Sequence, residues 1–218
     1  MKEGLVHLCF VIDESGSMYN SVNDVKGGFK ELIEKQKADT EGQCIVSIYR
    51  FDSYVKNDYI GRDVHEIQEL EYNPGGSTAL FDAFGTAIDK IGEWLADMKE
   101  EDRPSKNIIV VMTDGEENSS RIYSSEKVRS MVQHQKSKYD WDFIYLGTDI
   151  DNFDDADVLG IQTRSLSGRG NIINNYHTIS CYTSALKCAH NDGERSAAYT
   201  TLDSVLASDT DAYLNERN

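Results

Sequence analysis

The sequence predicts an α/β protein with a doubly wound, mostly parallel sheet that carries helices on both faces. Short, nearly continuous apolar runs, such as 5–12 and 107–113, are typical of strands that are buried on both sides. Between these runs, apolar residues recur every three or four positions, as in helices with one buried side. Because strands and helices alternate, we expect a central parallel sheet of about six strands, with crossover helices covering both faces.

The clearest predicted strands are apolar or alternating segments. They cover residues 5–12, 44–51, 54–60, 107–113 and 142–147. The connection at 50–55 is too short for a crossover helix, so the strand over 54–60 should run antiparallel to its neighbour and form an edge of the sheet. A sixth, short strand is expected near 161–163.

Four amphipathic helices are predicted between and after these strands. Their apolar residues recur from Val22 to Ile33, Leu80 to Met98, Val128 to Val132, and Ile172 to Leu186. The last helix is expected to pack back on the sheet as a closing layer. We therefore place one domain over residues 1–190 and a polar C-terminal tail, or an extra helix, over residues 191–218.

The charge balance excludes some classes of partner. With 38 acidic and 22 basic residues, the formal net charge is −16, so the average surface repels nucleic acids and anionic membranes. The chain contains no apolar stretch near the ~20 residues that span a bilayer. Its start, MKEGLVHLCFVIDE, lacks the cleavage site of a secretory signal. We expect a cytoplasmic protein that binds no nucleic acid and does not insert into membranes.

Two carboxylates follow strands that are predicted to lie side by side. Asp13 ends the first apolar run and Asp114 ends the run over 107–113, and a glycine-containing turn follows each. In an open parallel sheet, ligands bind outside the carboxyl ends of the strands, where these two side chains would face each other if the strands are neighbours. Two like charges in one crevice are costly unless a proton or a cation lies between them.

Hydroxyl groups accompany these carboxylates. Ser15 and Ser17 follow the first carboxylate at two-residue spacing around a glycine that permits tight curvature. The segment PGGSTAL, at a strand-to-helix junction, adds Ser77 and Thr78. Carboxylate and hydroxyl oxygens without His or Cys favour a hard cation such as Mg²⁺ or Mn²⁺.

Three separated motifs resemble the von Willebrand factor A domain family. They are DESGS after the first strand, GGSTALFDAF at the start of a helix and VVMTDGEEN at the end of a later strand. They occur in the family's order and spacing, and the resemblance covers roughly residues 4–190. The segments GGSTAL and YLGTDIDNFDDADVLGI are similar to those of bacterial and phage members. The resemblance implies a Rossmann-like domain with a metal-ion-dependent adhesion site, and no enzymatic activity.

The resemblance also implies a role for five residues. In the order of the family's three metal loops, they are Asp13, Ser15 and Ser17, then Thr78, then Asp114. In this family the hydroxyls typically contact the metal, and the carboxylates bind it directly or through water. A Glu or Asp of a partner protein, or water, fills the remaining coordination position. The implied cofactor is Mg²⁺ or Mn²⁺, with Ca²⁺ as a further candidate; the sequence leaves the partner and the oligomeric state open.

Several alternatives stand beside this interpretation. A haloacid dehalogenase-like Mg²⁺-dependent phosphotransferase would use Asp13 as its nucleophile, although that family has a second Asp where this chain has Ser15. Taken singly, some of the polar residues could simply cap helices; these are Asp13, Asp114, Ser17 and Ser77.

The sequence pattern indicates less about the residues that surround the predicted metal site. Candidates for an accessory rim are Ser77, Glu116 and Asp149. The acidic segment 148–157 either adds to the site's charge or is a solvated loop, and solvation is the commoner role of such runs. The aromatic residues near the motifs, which either line a partner surface or pack against the domain, are Tyr19, Phe81 and Tyr123.

Overall fold

The structure is a computed structural model, and it describes residues 1–147, 159, 161, 172–189, 191, 193–200 and 202. Within this part of the chain, five strands form one sheet. They are β1 (Lys2–Asp13), β2 (Gln43–Phe51), β3 (Val55–Asp63), β4 (Pro104–Thr113) and β5 (Asp142–Gly147). Their spatial order is β3-β2-β1-β4-β5, and every neighbouring pair is parallel except β2 and β3. The predicted fold class and its antiparallel edge strand are confirmed.

The sixth strand expected near 161–163 is not part of this sheet as described. Ile161 is buried but belongs to no strand, and residues 162–163 lie outside the described part of the chain. The edge strand β3 is longer than predicted and pairs with β2 through an irregular register, since register shifts occur on both sides of Ile48.

The four predicted helices are present. They are α1 (Val22–Ala38), α2 (Leu80–Asp97), α3 (Ser125–Tyr139) and α4 (Ile172–Cys188). A short 3₁₀ helix, Gly16–Ser21, precedes α1 and was not predicted, because its segment GSMYNS is rich in poor helix formers. None of the helices in the described residues combines the length and the apolar character needed to cross a membrane.

The central strand β1 is buried on both faces, which explains its continuous apolar sequence. Its even-numbered residues, including Phe10, pack with Phe29 of α1 and Tyr176 of α4. Its odd-numbered residues, including Val11, lie in a second cluster with residues of α2 and α3. The sheet therefore has a helical layer on each side.

The described C-terminal segment also packs against the domain. Residues 193–200 are helical, and Ala198 and Leu202 are buried in the same cluster as α1 and α4. The Tyr199 hydroxyl donates a hydrogen bond of 2.6 Å to Asp142 Oδ1 at the start of β5. This bond fixes the segment near the amino edge of the sheet.

The carboxyl ends of β1, β2 and β4 lie at one edge of the sheet. Asp13 is in register with Phe51 of β2, and Ile12 is in register with Met112 of β4. The chain runs from β1 outward to β3 and then returns to β4 on the other side of β1. The crevice between β1 and β4 is therefore the point at which the strand order reverses, where ligands bind in such sheets.

Candidate metal centre

Asp13 lies at the end of β1 and is fully buried. Its Oδ1 accepts a 2.7 Å hydrogen bond from the Ser15 N–H, and its Oδ2 accepts one of 2.5 Å from the Thr113 hydroxyl. The Tyr72 hydroxyl donates to the Asp13 carbonyl at 2.5 Å. Burial raises the pKa of Asp13 to about 6; the hydrogen bonds from Thr113 and Ser15 oppose this rise, and the nearby Asp114 adds to it.

The two serines of the first loop are linked to the third loop. Ser15 Oγ lies 3.0 Å from Ser17 Oγ, and the Ser17 hydroxyl donates to Asp114 Oδ1. Ser15 is buried, whereas Ser17 is exposed and Asp114 is partly buried. Ser17 lies inside the 3₁₀ helix and not at an N-cap position, and the side chains at the two N-cap positions, Ser15 and Ser21, accept no capping hydrogen bond, so helix capping does not account for the Ser15 and Ser17 hydroxyls.

The second loop brings Thr78 to the same place. Thr78 is only 3% exposed and precedes α2, whose N-cap position is taken by Ala79. The Thr78 N–H donates to Asn118 Oδ1 at 2.9 Å, and the Thr78 carbonyl accepts from the Asn118 N–H at 3.0 Å. The second and third loops are thus joined on both sides of Thr78.

Gly115 marks the point at which the three loops meet. A Cβ atom placed on Gly115 would lie 3.1 Å from Thr78 Oγ1, 3.5 Å from Ser17 Oγ and 3.7 Å from Asp13 Oδ2. These oxygens come from the first and second loops, and Gly115 itself lies in the third. They surround a space that the absence of a side chain at Gly115 leaves open. The structure therefore brings together all five residues predicted as the core of the site: Asp13, Ser15, Ser17, Thr78 and Asp114.

The three candidates for an accessory rim have different positions. Ser77 is exposed, and its backbone N–H, rather than its side chain, is bonded in the structure, to Ser53 Oγ at 3.0 Å. Glu116 is exposed next to Gly115. Asp149 lies outside the described residues, as does the whole acidic segment 148–157.

Glu14 is a supporting residue that the sequence analysis did not single out. It is fully buried, and its carboxylate accepts hydrogen bonds from Arg50 Nη1 at 2.8 Å, Lys56 Nζ at 3.0 Å and the Asn73 N–H at 2.7 Å. The Glu14 carbonyl also accepts from the Gly75 N–H at 2.8 Å. Glu14 therefore fastens the first loop to the second loop and to strands β2 and β3.

A second supporting group, from the third loop and α2, was also missed. Glu117 accepts from the Phe81 N–H at 2.9 Å and from the Ser120 hydroxyl at 2.6 Å. Asp82, in the first turn of α2, accepts 2.8 Å hydrogen bonds from the N–H groups of Arg121, Ile122 and Tyr123. Both acids lie within the quoted motifs GGSTALFDAF and VVMTDGEEN, so the signal was present, but the partners that join the second and third loops are 36 to 41 residues away along the chain.

The donor set suits a hard divalent cation. Within the described residues, no group of three or more His, Cys, Asp or Glu side chains is placed to hold a metal ion. A cation here would therefore depend on the three hydroxyls as much as on the two carboxylates. All of these donors are oxygens, which Mg²⁺ and Mn²⁺ prefer.

The family assignment follows from a comparison with family models. Residues 7–169 match the model of the von Willebrand factor type A domain, which is most of the chain. The chain belongs to the von Willebrand factor type A domain family. No curated protein sequence matches the chain significantly. Nothing in these comparisons supports the dehalogenase-like alternative.

Solved structures share the von Willebrand factor A fold with this chain. VWA2, an ArnB paralog from Sulfolobus acidocaldarius, is 18% identical with a TM-score of 0.54, covering 81% of this chain and 45% of its own. Proximal thread matrix protein 1 from the mussel byssus, with a zinc-occupied MIDAS motif, is 15% identical with a TM-score of 0.55, covering 82% and 46%. The vWF domain of the pilus tip protein Mfa5 from Porphyromonas gingivalis is 12% identical with a TM-score of 0.56, covering 80% and 93%. The chain thus spans less than half of the first two structures.

Proposed function

We propose that this von Willebrand factor A domain is a metal-dependent protein-binding module. The residues that would hold the cation are Asp13, Ser15, Ser17, Thr78 and Asp114. The observation that carries this proposal is the convergence of oxygens from the first and second loops around the Cβ position of Gly115, which lies in the third loop. When bound, the cation would supply a positive charge and a coordination position for a Glu or Asp side chain of a partner protein.

Mg²⁺ is the expected cation, with Mn²⁺ as its close substitute. Two carboxylates and three hydroxyls nearly complete the octahedral shell of six oxygens around Mg²⁺, whereas Ca²⁺ takes six to eight oxygens and would need more of them from water or a partner. Zinc favours nitrogen and sulfur ligands, although the mussel protein shows that a MIDAS motif also accepts zinc. The oxygen-only donor set of this chain therefore favours Mg²⁺.

The proposal assigns no chemical reaction to the domain. The Ser15 and Ser17 hydroxyls interact with each other, and the Ser17 hydroxyl donates to Asp114, which suits a cluster of metal ligands. The residues around them fix the loops: Glu14 fastens the first loop to the second, and Asn118 fastens the second to the third. The role of this chain's own residues is to hold and orient donor atoms.

Calorimetric titration of the full chain with Mg²⁺, Mn²⁺ and Ca²⁺ tests the proposal. Thr78→Val removes the hydroxyl but keeps the shape of the side chain, and it should abolish measurable Mg²⁺ binding. Thr78→Ser keeps a hydroxyl and should restore most of the affinity. If Thr78→Val and Asp13→Ala both bind Mg²⁺ like the unmodified chain, the proposed site is wrong.

Two further measurements test the class of function. A pull-down with Mg²⁺ and with EDTA, followed by mass spectrometry, should capture a protein only when the metal is present. The chain with Mg²⁺ should not hydrolyse a generic phosphate ester. A hydrolysis rate that disappears in Asp13→Asn would contradict the proposal and favour a phosphatase.

A further inference from the structure

Three large apolar side chains are strongly exposed at the carboxyl edge of the sheet. Tyr19 is 74% exposed, Tyr54 is 76% exposed and Ile122 is 78% exposed. Each lies on a different segment: the 3₁₀ helix after the first loop, the β2–β3 connection and the loop after β4. Exposed side chains of this size, when they gather around one site, mark an interaction surface more often than isolated ones do.

Tyr19 and Tyr54 flank the first and second metal loops. Tyr19 lies two residues after Ser17, in the same 3₁₀ helix. Tyr54 follows Ser53, whose Oγ accepts a 3.0 Å hydrogen bond from the N–H of Ser77. Because Ser77 directly precedes Thr78, the Tyr54 segment runs beside the second loop.

Ile122 flanks the third loop. Its N–H donates a 2.8 Å hydrogen bond to Asp82 Oδ1, in the first turn of the helix that Thr78 precedes. The neighbouring Arg121 and Tyr123 N–H groups donate to the same carboxylate. The backbone that carries Ile122 is therefore fixed beside the first turn of α2, which begins two residues after Thr78.

The other two aromatic residues considered from the sequence do not belong to this surface. Phe81 and Tyr123 are partly buried and pack against the cluster on the α2 side of the sheet. The Tyr123 ring covers Gly85, and its hydroxyl donates to Asp89 Oδ2 at 2.7 Å. Of the three aromatics, only Tyr19 remains available to a partner.

The three exposed side chains also sit on fixed backbone. Tyr54 lies in a tight turn in which its N–H donates to Asp52 Oδ1 at 2.8 Å and its carbonyl accepts from the Asp52 N–H at 3.1 Å. Residues held in this way lose less conformational freedom when a partner binds. Tyrosine is also among the residues that contribute most to binding at protein interfaces.

The charge around the site limits the kind of partner. Exposed charged side chains in and beside these loops include Glu71, Glu116, Arg121 and Lys56, and the chain as a whole carries a net charge of −16. A partner with a run of acidic residues would be repelled. A single carboxylate can be attracted by the cation only if its neighbours are neutral or basic.

We infer that Tyr19, Tyr54 and Ile122 form an apolar rim that selects a partner segment with one Glu or Asp flanked by large apolar side chains, and with Lys or Arg further out. The inference rests on the proposed function, because the carboxylate of that segment binds the metal. The rim adds the specificity that a metal–carboxylate contact alone does not provide, since any acidic residue could make that contact.

A peptide library tests this inference directly. Random twelve-residue peptides displayed on phage are captured on the full chain in Mg²⁺ and eluted with EDTA. The eluted peptides should be enriched in one acidic residue flanked by Leu, Ile, Phe, Tyr or Trp. Binding of a selected peptide is then measured for the triple variant Tyr19→Ser, Tyr54→Ser, Ile122→Ser, and for the control Tyr139→Ser.

Tyr139 is a matched control because it is also exposed, at 51%, but ends α3 close to the start of β5, at the opposite edge of the sheet. The triple variant should lose roughly a hundredfold in peptide affinity, and Tyr139→Ser should lose nothing. Calorimetry should show that the triple variant and Tyr139→Ser both bind Mg²⁺ with the affinity of the unmodified chain.

The outcomes separate the inference from the proposed function. Metal-dependent acidic peptides that bind the triple variant as well as the unmodified chain would overturn the apolar rim and leave the metal-dependent module standing. Enrichment of polyacidic peptides would also overturn the rim. A chain that binds no Mg²⁺, or that binds Mg²⁺ but selects no metal-dependent peptide, would overturn the proposed function itself.

Discussion

Adding one methyl group at Gly115 should abolish most of the metal binding while leaving the fold intact. In Gly115→Ala, the new Cβ would lie 3.1 Å from Thr78 Oγ1 and 3.5 Å from Ser17 Oγ, in the space that their oxygens surround. A contact of 3.1 Å is tighter than most real Cβ contacts, so the Thr78 hydroxyl must shift by a few tenths of an ångström. Mg²⁺ demands near-ideal octahedral geometry, and such a shift disturbs it.

The expected loss can be given a magnitude. Changes that disturb the orientation of metal ligands cost about 10- to 100-fold in affinity. At a Mg²⁺ concentration of about one hundred times the unmodified dissociation constant, the metal stabilises the fold by about 2.7 kcal/mol. For Gly115→Ala at the same concentration, this stabilisation falls to about 1.4 kcal/mol for a tenfold loss, or about 0.4 kcal/mol for a hundredfold loss.

Gly75→Ala is a matched control within the same group of loops. A Cβ on Gly75 meets no atom within 4 Å, so this variant should bind Mg²⁺ normally. Without metal, both variants should unfold within about 1 kcal/mol of the unmodified chain, because a compatible Gly→Ala change mainly restricts the unfolded state. Calorimetric titration and urea unfolding with and without Mg²⁺ measure both quantities. If Gly115→Ala keeps full Mg²⁺ affinity and stability, the cation does not lie among these three loops.

Three further predictions concern pH and the supporting residues. Mg²⁺ affinity should fall about tenfold per pH unit below pH 6, since protons compete for Asp13, whose pKa burial raises to about 6; titrations between pH 5 and 7.5 check this. Burial lowers the pKa of His7 to about 4, so the unfolded chain binds a proton at His7 more readily than the folded chain does. This difference should reduce the free energy of unfolding by roughly 2–3 kcal/mol between pH 7 and 4.5. Urea unfolding of His7→Gln should lack this contribution. Glu14→Gln should destabilise the domain by roughly 2 kcal/mol, because it removes the buried negative charge that pairs with Arg50 and Lys56, while Asp58 still pairs with Arg50. The exposed control Glu116→Gln should change stability by less than about 0.5 kcal/mol.

The parts of the fold that the sequence predicts are those fixed by local patterns. The run that contains Phe10 and Val11 is apolar on both faces, and this pattern alone places β1 in the middle of the sheet. Asp13 and Asp114 each follow such a run directly. Because parallel strands share a carboxyl edge, their proximity follows from the topology without any knowledge of side-chain contacts.

The supporting contacts could not be predicted, because they join residues that are distant along the chain. An acid between Asp13 and Ser15 in a polar loop would ordinarily be exposed, yet Glu14 is buried against Arg50, 36 residues away. Thr113 looks like the end of a strand, but its hydroxyl donates to a carboxylate 100 residues earlier. The position of Tyr123 likewise depends on the space that Gly85 leaves on α2.

Two adjacent acids of the first loop have opposite electrostatic surroundings, and this difference bears on the cation. Glu14 accepts hydrogen bonds from the cationic Arg50 and Lys56, so its negative charge is offset inside the protein. Asp13 accepts from neutral donors, the Ser15 N–H and the Thr113 hydroxyl, and burial still raises its pKa. The protein thus compensates one buried carboxylate with its own cations but leaves the other partly desolvated beside Asp114. A divalent cation would lower the free energy of the ionised Asp13 more than any neutral donor can, which is the electrostatic reason to expect a metal between these loops.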